Sequence, residues 1–283
     1  HSFWQGLLVY CLLLCIYKVL PNASSRFKYN AAAVALLGAF AWFADTWLEQ
    51  WQMLKGATVT ITEPTTGKII TQTIHTVPAS THGAYIEHWI YNLLPRVENY
   101  FKWIVPLYLL GIFFLLLRFG YNFYSVNRLK RQTIEGIAPA WMQKLETWKI
   151  QYDINKQVKL LLTRHINVPM VIGILKPVIL VPVATINHLG TDEMEAILLH
   201  ELAHIKRNDY FSNIIQVFIE TILFFNPFTW LISAQIRRER EHCCDDFVVN
   251  HTTAPLPYAK ALAALETHRQ NTMAMAATVN IHC

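Results

Sequence analysis

His200, Glu201 and His204 stand in the order H-E-x-x-H. On a helix, residues four apart share a face, so both imidazoles can reach one Zn²⁺. Glu201 projects beside them and can act as general base towards water, whose pKa a bound zinc lowers to about 7. A catalytic zinc takes three protein ligands and keeps one position open. The third ligand is expected downstream, on another helix. The charged stretch at 237–246 offers Glu239, Glu241, His242, Cys243, Cys244, Asp245 and Asp246. Glu241 and Asp245 are four apart and face one way, which lets Glu241 bind the metal while Asp245 hydrogen-bonds a ligand histidine from behind. Glu239 is the alternative ligand. Asp209, five residues after His204, is a further carboxylate for the supporting role. Cys243 and Cys244 read as small packing residues.

These residues need a helix under them. Thr191 reads as the N-cap, and Asp192, Glu193 and Glu195 populate the first turns, where negative charge suits the helix dipole. That predicts a helix from near Thr191 to about Asn208. Upstream, VKLLLT and VPMVIGILKPVILVP supply short β-rich runs split by Pro169, Gly173, Pro177 and Pro182, and a proline-punctuated strand reads as an edge strand. Residues 120–157 read as an amphipathic connecting helix broken near Gly136–Pro139. Downstream, the apolar stretch 210–234, interrupted by Gln216, Glu220 and Asn226–Pro227, fits either a fourth span or a helical hairpin. A charged helix over about 230–250 and an Ala-rich one over about 258–270 close the chain.

The composition places this machinery beside lipid. Of 283 residues, 53% are hydrophobic and only 15% charged, against about 25% charged in soluble domains. That argues against a wholly soluble enzyme and against disorder. Three apolar runs, 3–20, 31–48 and 103–117, are each long enough to approach a bilayer's thickness. Between the second and third, residues 52–88 alternate β-branched and polar residues as a small hairpin or irregular loop. His75, His82 and His88 read as loop residues there, not as a second metal site. Arg26 and Lys28 follow the first run, and Arg118, Arg128, Lys130 and Arg131 follow the third. The positive-inside bias puts the N-terminus outside, loop 52–88 outside and everything after Arg118 in the cytoplasm. The net charge of +5 sits beside the apolar runs and not in a nucleic-acid footprint, so no direct nucleic-acid partner is expected.

HELAHIKRND, the apolar stretch after it, RRERE followed by CDD, the upstream GILKPVILVP and the three preceding spans together resemble the BlaR/MecR-type membrane metallopeptidases, the β-lactam-sensing signal transducers. The likeness is strongest over 168–250. It implies a gluzincin with zinc ligands His200, His204 and Glu241 and catalytic base Glu201. It also implies that the proline-framed strand near Gly173–Pro182 holds extended substrate by strand addition. The expected fold is mainly α and multi-pass. Three transmembrane helices in 1–119 are followed by a gluzincin-type α+β zinc peptidase domain, with a small β-sheet, in 120–283. The chain reads as a fragment ending before any C-terminal sensor. Ser25 to Lys28 matches S-x-x-K only formally, with no K-T-G partner. The expected activity is a zinc-dependent endopeptidase in the cell membrane, acting on the cytoplasmic side and cleaving a transcriptional repressor or itself. The expected partners are the lipid bilayer and that protein substrate, with a homodimer left open. The alternatives are a housekeeping protease of membrane proteins and a non-catalytic transducer with a structural metal.

Overall fold

The computed structural model describes residues 2–54, 58–62, 69–73, 97–131 and 138–252, and, of the C-terminal part, 256, 258–263 and 267. His75, His82 and His88 lie outside the described residues. Helices α1 (Ser2–Val19) and α2 (Ser25–Leu54) come first. Strands β1 (Thr58–Thr62) and β2 (Ile69–Thr73) then pair antiparallel, as a hairpin requires. Helix α3 (Val97–Arg131) follows, with Pro106 inside it. Ser2–Val19, Ser25–Glu49 and Trp103–Ser125 are long and apolar enough to cross a membrane. Helix α3 continues 14 residues past the apolar run that ended at Leu117, because nothing in its polar extension breaks a helix.

The remaining chain forms α4 (Pro139–Gln151), β3 (Lys159–Thr163), β4 (Met170–Ile172), β5 (Val178–Pro182), α5 (Val183–His188), α6 (Thr191–Arg207), α7 (Asp209–Ile222) and α8 (Pro227–His251). The sheet order is β3-β5-β4, with β5 parallel to β3 (Leu161 opposite Leu180) and antiparallel to β4 (Val171 opposite Ile179). This corrects the expectation that the proline-framed strand near Gly173–Pro182 is the edge. Every residue of β5 is buried and both its sides are paired. Pro182 sits at the strand's last position, where it interrupts little of the ladder. A continuous apolar run is the mark of a strand covered on both faces. The edge beside the site is β4. Gly173 turns the chain from β4 towards β5 at φ 98°, a left-handed conformation that suits glycine.

Helix α6 starts one residue from the expected cap. Gly190 is the N-cap, Thr191 is the first helical residue, and the Glu193 carboxylate accepts the Gly190 N–H at 3.0 Å. Its end is abrupt. Asn208 adopts φ 60°, one of the few side chains suited to that conformation, and α7 begins at once. The 210–234 stretch is a helical hairpin: Asn226 accepts the Phe228 N–H at 3.0 Å and Pro227 opens α8. Two cores result. One joins the sheet to α6 and α8 through Leu160, Ile179, Leu198, Leu202 and Val248. The other joins Leu13 of α1 and Leu36 of α2 to Ile219, Leu223 and Ile232. Helices α1 and α2 are thus packed directly on the α7–α8 hairpin. Leu198 is fully buried in the first core, and Leu198→Ala is expected to cost about 2–5 kcal/mol of stability, read from denaturation of the detergent-solubilised protein. An unchanged midpoint would refute that packing.

Candidate active site

Helix α6 presents His200, Glu201 and His204 towards one face, and α8 brings Glu241 opposite them. Glu241 Oε2 lies 3.5 Å from His200 Nε2 and 3.9 Å from His204 Nε2. These three donor atoms all fall within 4.8 Å of one another. Glu201 is buried and lines the same cleft as the two rings. The other nitrogen of each imidazole faces a carboxylate. His204 Nδ1 is 2.8 Å from Asp209 Oδ2, and Asp209 also accepts from Arg207 Nε at 3.3 Å. His200 Nδ1 is 3.3 Å from Asp245 Oδ1 and 2.8 Å from the Tyr258 hydroxyl, which donates to Asp245 at 2.6 Å.

The local electrostatics follow from this concentration of acids around two rings. Burial works to lower the His200 imidazole, but hydrogen bonds to Asp245 and Glu241 outweigh it and leave it raised to about 10. Burial pushes the Glu201 carboxyl up, against the pull of His204 and His200. Burial also works to raise Asp209 and Glu241, yet both end below the usual carboxylate range, Asp209 through His204 and Arg207 and Glu241 through His200 and His204. The pocket therefore favours positive charge between the rings and the Glu241 carboxylate.

The structure brings His200, Glu201, His204, Glu241 and Asp245 together. Asp209 sits closer to its histidine than Asp245 does to His200. Glu239 turns away, buried, and accepts from Gln235 Nε2 at 2.7 Å. Cys243 and Cys244 are buried, as packing residues would be, but Cys244 Sγ also lies 3.3 Å from His204 Nδ1. A cleft of about 430 Å³ opens at the site, walled on one side by Val168 to Val171, which include part of β4, and on the other by Asn213, Arg240 and Tyr258. Sequence reasoning missed Asn213 and Arg240. Arg240 donates to Asn213 at 3.0 Å across the hairpin, a contact no local spacing announces. Tyr258 follows a gap in the helical pattern and carried only its residue type as a signal.

"Regulatory protein BlaR1" of Bacillus licheniformis is 26% identical over 172 residues, 60% of this chain and 28% of that protein. "Methicillin resistance mecR1 protein" of Staphylococcus aureus (strain Mu50 / ATCC 700699) is 27% identical over 137 residues, 48% of this chain and 23% of that protein. The protein of the same name from Staphylococcus epidermidis matches to the same extent. The chain spans about a quarter of the length of these relatives. The family model described as BlaR1 peptidase M56 matches residues 6–282, nearly the whole sequence. The chain belongs to the BlaR1 peptidase M56 family.

Proposed function

We propose that this chain is a zinc-dependent endopeptidase of the cell membrane, with residues 1–119 as its membrane region and 120–283 as its peptidase portion. The observation that carries the proposal is the convergence of two imidazole nitrogens and one carboxylate oxygen within 4.8 Å at the wall of an open cleft. Ligand atoms bound tetrahedrally at about 2.1 Å stand about 3.4 Å apart. The 3.5 and 3.9 Å separations from Glu241 are close to that spacing, and the two imidazoles plus carboxylate are a donor set suited to zinc. His200, His204 and Glu241 would hold the metal. Zinc in such a site supplies Lewis-acid polarisation of a peptide carbonyl and acidifies a water molecule.

The chain's own residues do the rest. Glu201 takes the proton from water and returns it to the leaving amine. Burial keeps its carboxyl above the usual range, nearer the pKa that two-way proton transfer needs. Asp209 and Asp245, the latter with Tyr258, fix the orientation of the two rings. The free side of β4 borders the cleft, so an extended substrate can add to it as a strand and lie across Glu201. Asp209→Asn removes the charge behind His204. Zinc affinity is expected to fall about 10–100-fold, measured by chelator competition. Unchanged affinity would mean that Asp209 plays no part in holding the ring.

The positive-inside reading places this site on the cytoplasmic side. The guanidinium of Arg207 lies 4.6 Å from the centroid of the Tyr29 ring, close in sequence to Arg26 and Lys28 in the first turns of α2, which supports that reading. The proposed role is signalling, by cleavage of a transcriptional repressor or of the chain itself. Purified chain in proteoliposomes, supplied with unfolded casein and followed for self-cleavage, tests the activity. 1,10-Phenanthroline is expected to abolish cutting and added Zn²⁺ to restore it. Protein that holds one zinc per chain yet cuts neither casein, nor a peptide library, nor itself would be a non-catalytic transducer.

A further inference from the structure

We infer that the α7–α8 hairpin is a re-entrant membrane element, inserted beside α1, α2 and α3 with its outer face against lipid acyl chains. The inference rests on the reading of those three helices as spans. It goes further by assigning the fate of 209–236, which none of the three candidate spans includes.

The first observation is an inverted polarity. From Asp209 to Ile236 the exposed residues are Phe211, Ile215, Phe218, Pro227, Trp230 and Leu231, and every one is apolar. No polar residue of the same stretch is exposed: Asp209, Gln216, Thr221, Asn226, Thr229 and Ser233 are buried, and Ser212, Asn213, Glu220 and Gln235 are half-buried. Water would favour the opposite arrangement. Exposed charge returns only at the hairpin's base, with Lys206 on one side and Arg237 and Arg238 on the other.

The second observation is how the turn handles its backbone. Carbonyls at the end of a helix must find donors, and in hydrocarbon no water supplies them. Here side chains do so. The Tyr108 hydroxyl of α3 donates to the Ile222 carbonyl at 2.9 Å, and the Trp230 indole donates to the Phe224 carbonyl at 2.9 Å. Asn226 donates to the Ser2 carbonyl at 2.8 Å. Glu220, the one acid within the hairpin's apolar part, is paired with Arg237 at 2.7 Å.

The third is depth. The base of the hairpin lies beside Tyr29, near the start of α2, while its turn packs on Phe3 of α1, Phe43 of α2 and Tyr108 of α3. Helix α7 has 14 residues, about 21 Å of helix. That is too short to cross a core of about 30 Å, and it reaches most of the way before the chain returns. Exposed Phe218 packs edge-on against Phe40 of α2, and exposed Ile215 shares a groove with exposed Leu37 of α2, so the stripe runs into the apolar surface of that helix, which is why acyl chains are its occupant.

The test uses the full chain in phosphatidylcholine–phosphatidylglycerol vesicles, with Cys11, Cys15 and Cys283 replaced by Ala. Single nitroxide labels are placed at Ile215→Cys and Leu231→Cys, with Val34→Cys in α2 as span reference and Glu146→Cys in α4 as water reference. All four described positions are exposed, so no packed side chain is lost. Collisions with oxygen and with a nickel chelate are read by EPR. Ile215 and Leu231 are expected to match Val34, with loss of the nickel effect and strong oxygen broadening. Nickel access equal to Glu146, with Val34 still protected, would place the hairpin in water and overturn this inference alone. Low access to both reagents would mean a protein surface covers the stripe, which overturns it too. Nickel access at Val34 itself would overturn the span reading and the inference with it.

Discussion

Glu201→Gln is expected to lower peptide-bond cleavage by about 10²–10⁴-fold while leaving zinc content at the parent level. The amide keeps the size and shape of a side chain that is buried at the cleft shared with His200 and His204, so the donor cluster has no reason to collapse. What the amide lacks is basicity. The proton of the attacking water then has no acceptor, and the leaving amine no donor. Kinetic constants on a fluorogenic peptide, with metal analysis of the same sample, check both halves. A variant that cuts at the parent rate would remove Glu201 from the reaction. One that loses its zinc would make it structural.

Glu241→Ala is expected to have the larger effect on the metal. It removes the one anionic member of the three-donor group, whose oxygen stands 3.5 and 3.9 Å from the two histidine nitrogens. Zinc affinity should fall well beyond the about 10–100-fold expected from removing a carboxylate behind a ring. Activity should vanish with the metal. Glu239→Ala is the control, because that carboxylate is bonded to Gln235 outside the cluster. Equal zinc loss from the two variants would show general destabilisation, and zinc retention in Glu241→Ala would break the proposed ligand set.

Much of this arrangement was readable from spacing. The acidic start after Gly190 and the apolar phase of 194–205 define α6, and four-residue separations place His200 with His204 and Glu241 with Asp245. Spacing holds because helical geometry converts sequence distance into a face. It fails where the fold, not the helix, makes the contact. Asn213 and Arg240 meet across a hairpin turn, and Tyr258 reaches Asp245 from a separate segment. Strand order is of the same kind. The prolines around β5 suggested an edge, whereas its unbroken apolar content was the better guide. The 210–234 stretch was ambiguous because hydrophobicity registers contact with lipid or core but not direction of travel. Asn226–Pro227 reverses the chain.

The single left-handed residue between α6 and α7 has a mechanical consequence. The imidazole pair rides on α6, while Glu241 rides on α8, whose neighbouring Arg240 is fastened to Asn213 and Gln216 of α7. Asn208 is then a pivot, and the two following helices a lever of unequal arms. Were the far tip, where Asn226 touches Ser2, to swing about that point, the displacement near the fulcrum would be smaller than at the tip. Metal–ligand bonds tolerate only about ±0.2 Å, so a displacement geared down in this way would fall on the scale at which an ion between His200, His204 and Glu241 would be gripped or let go.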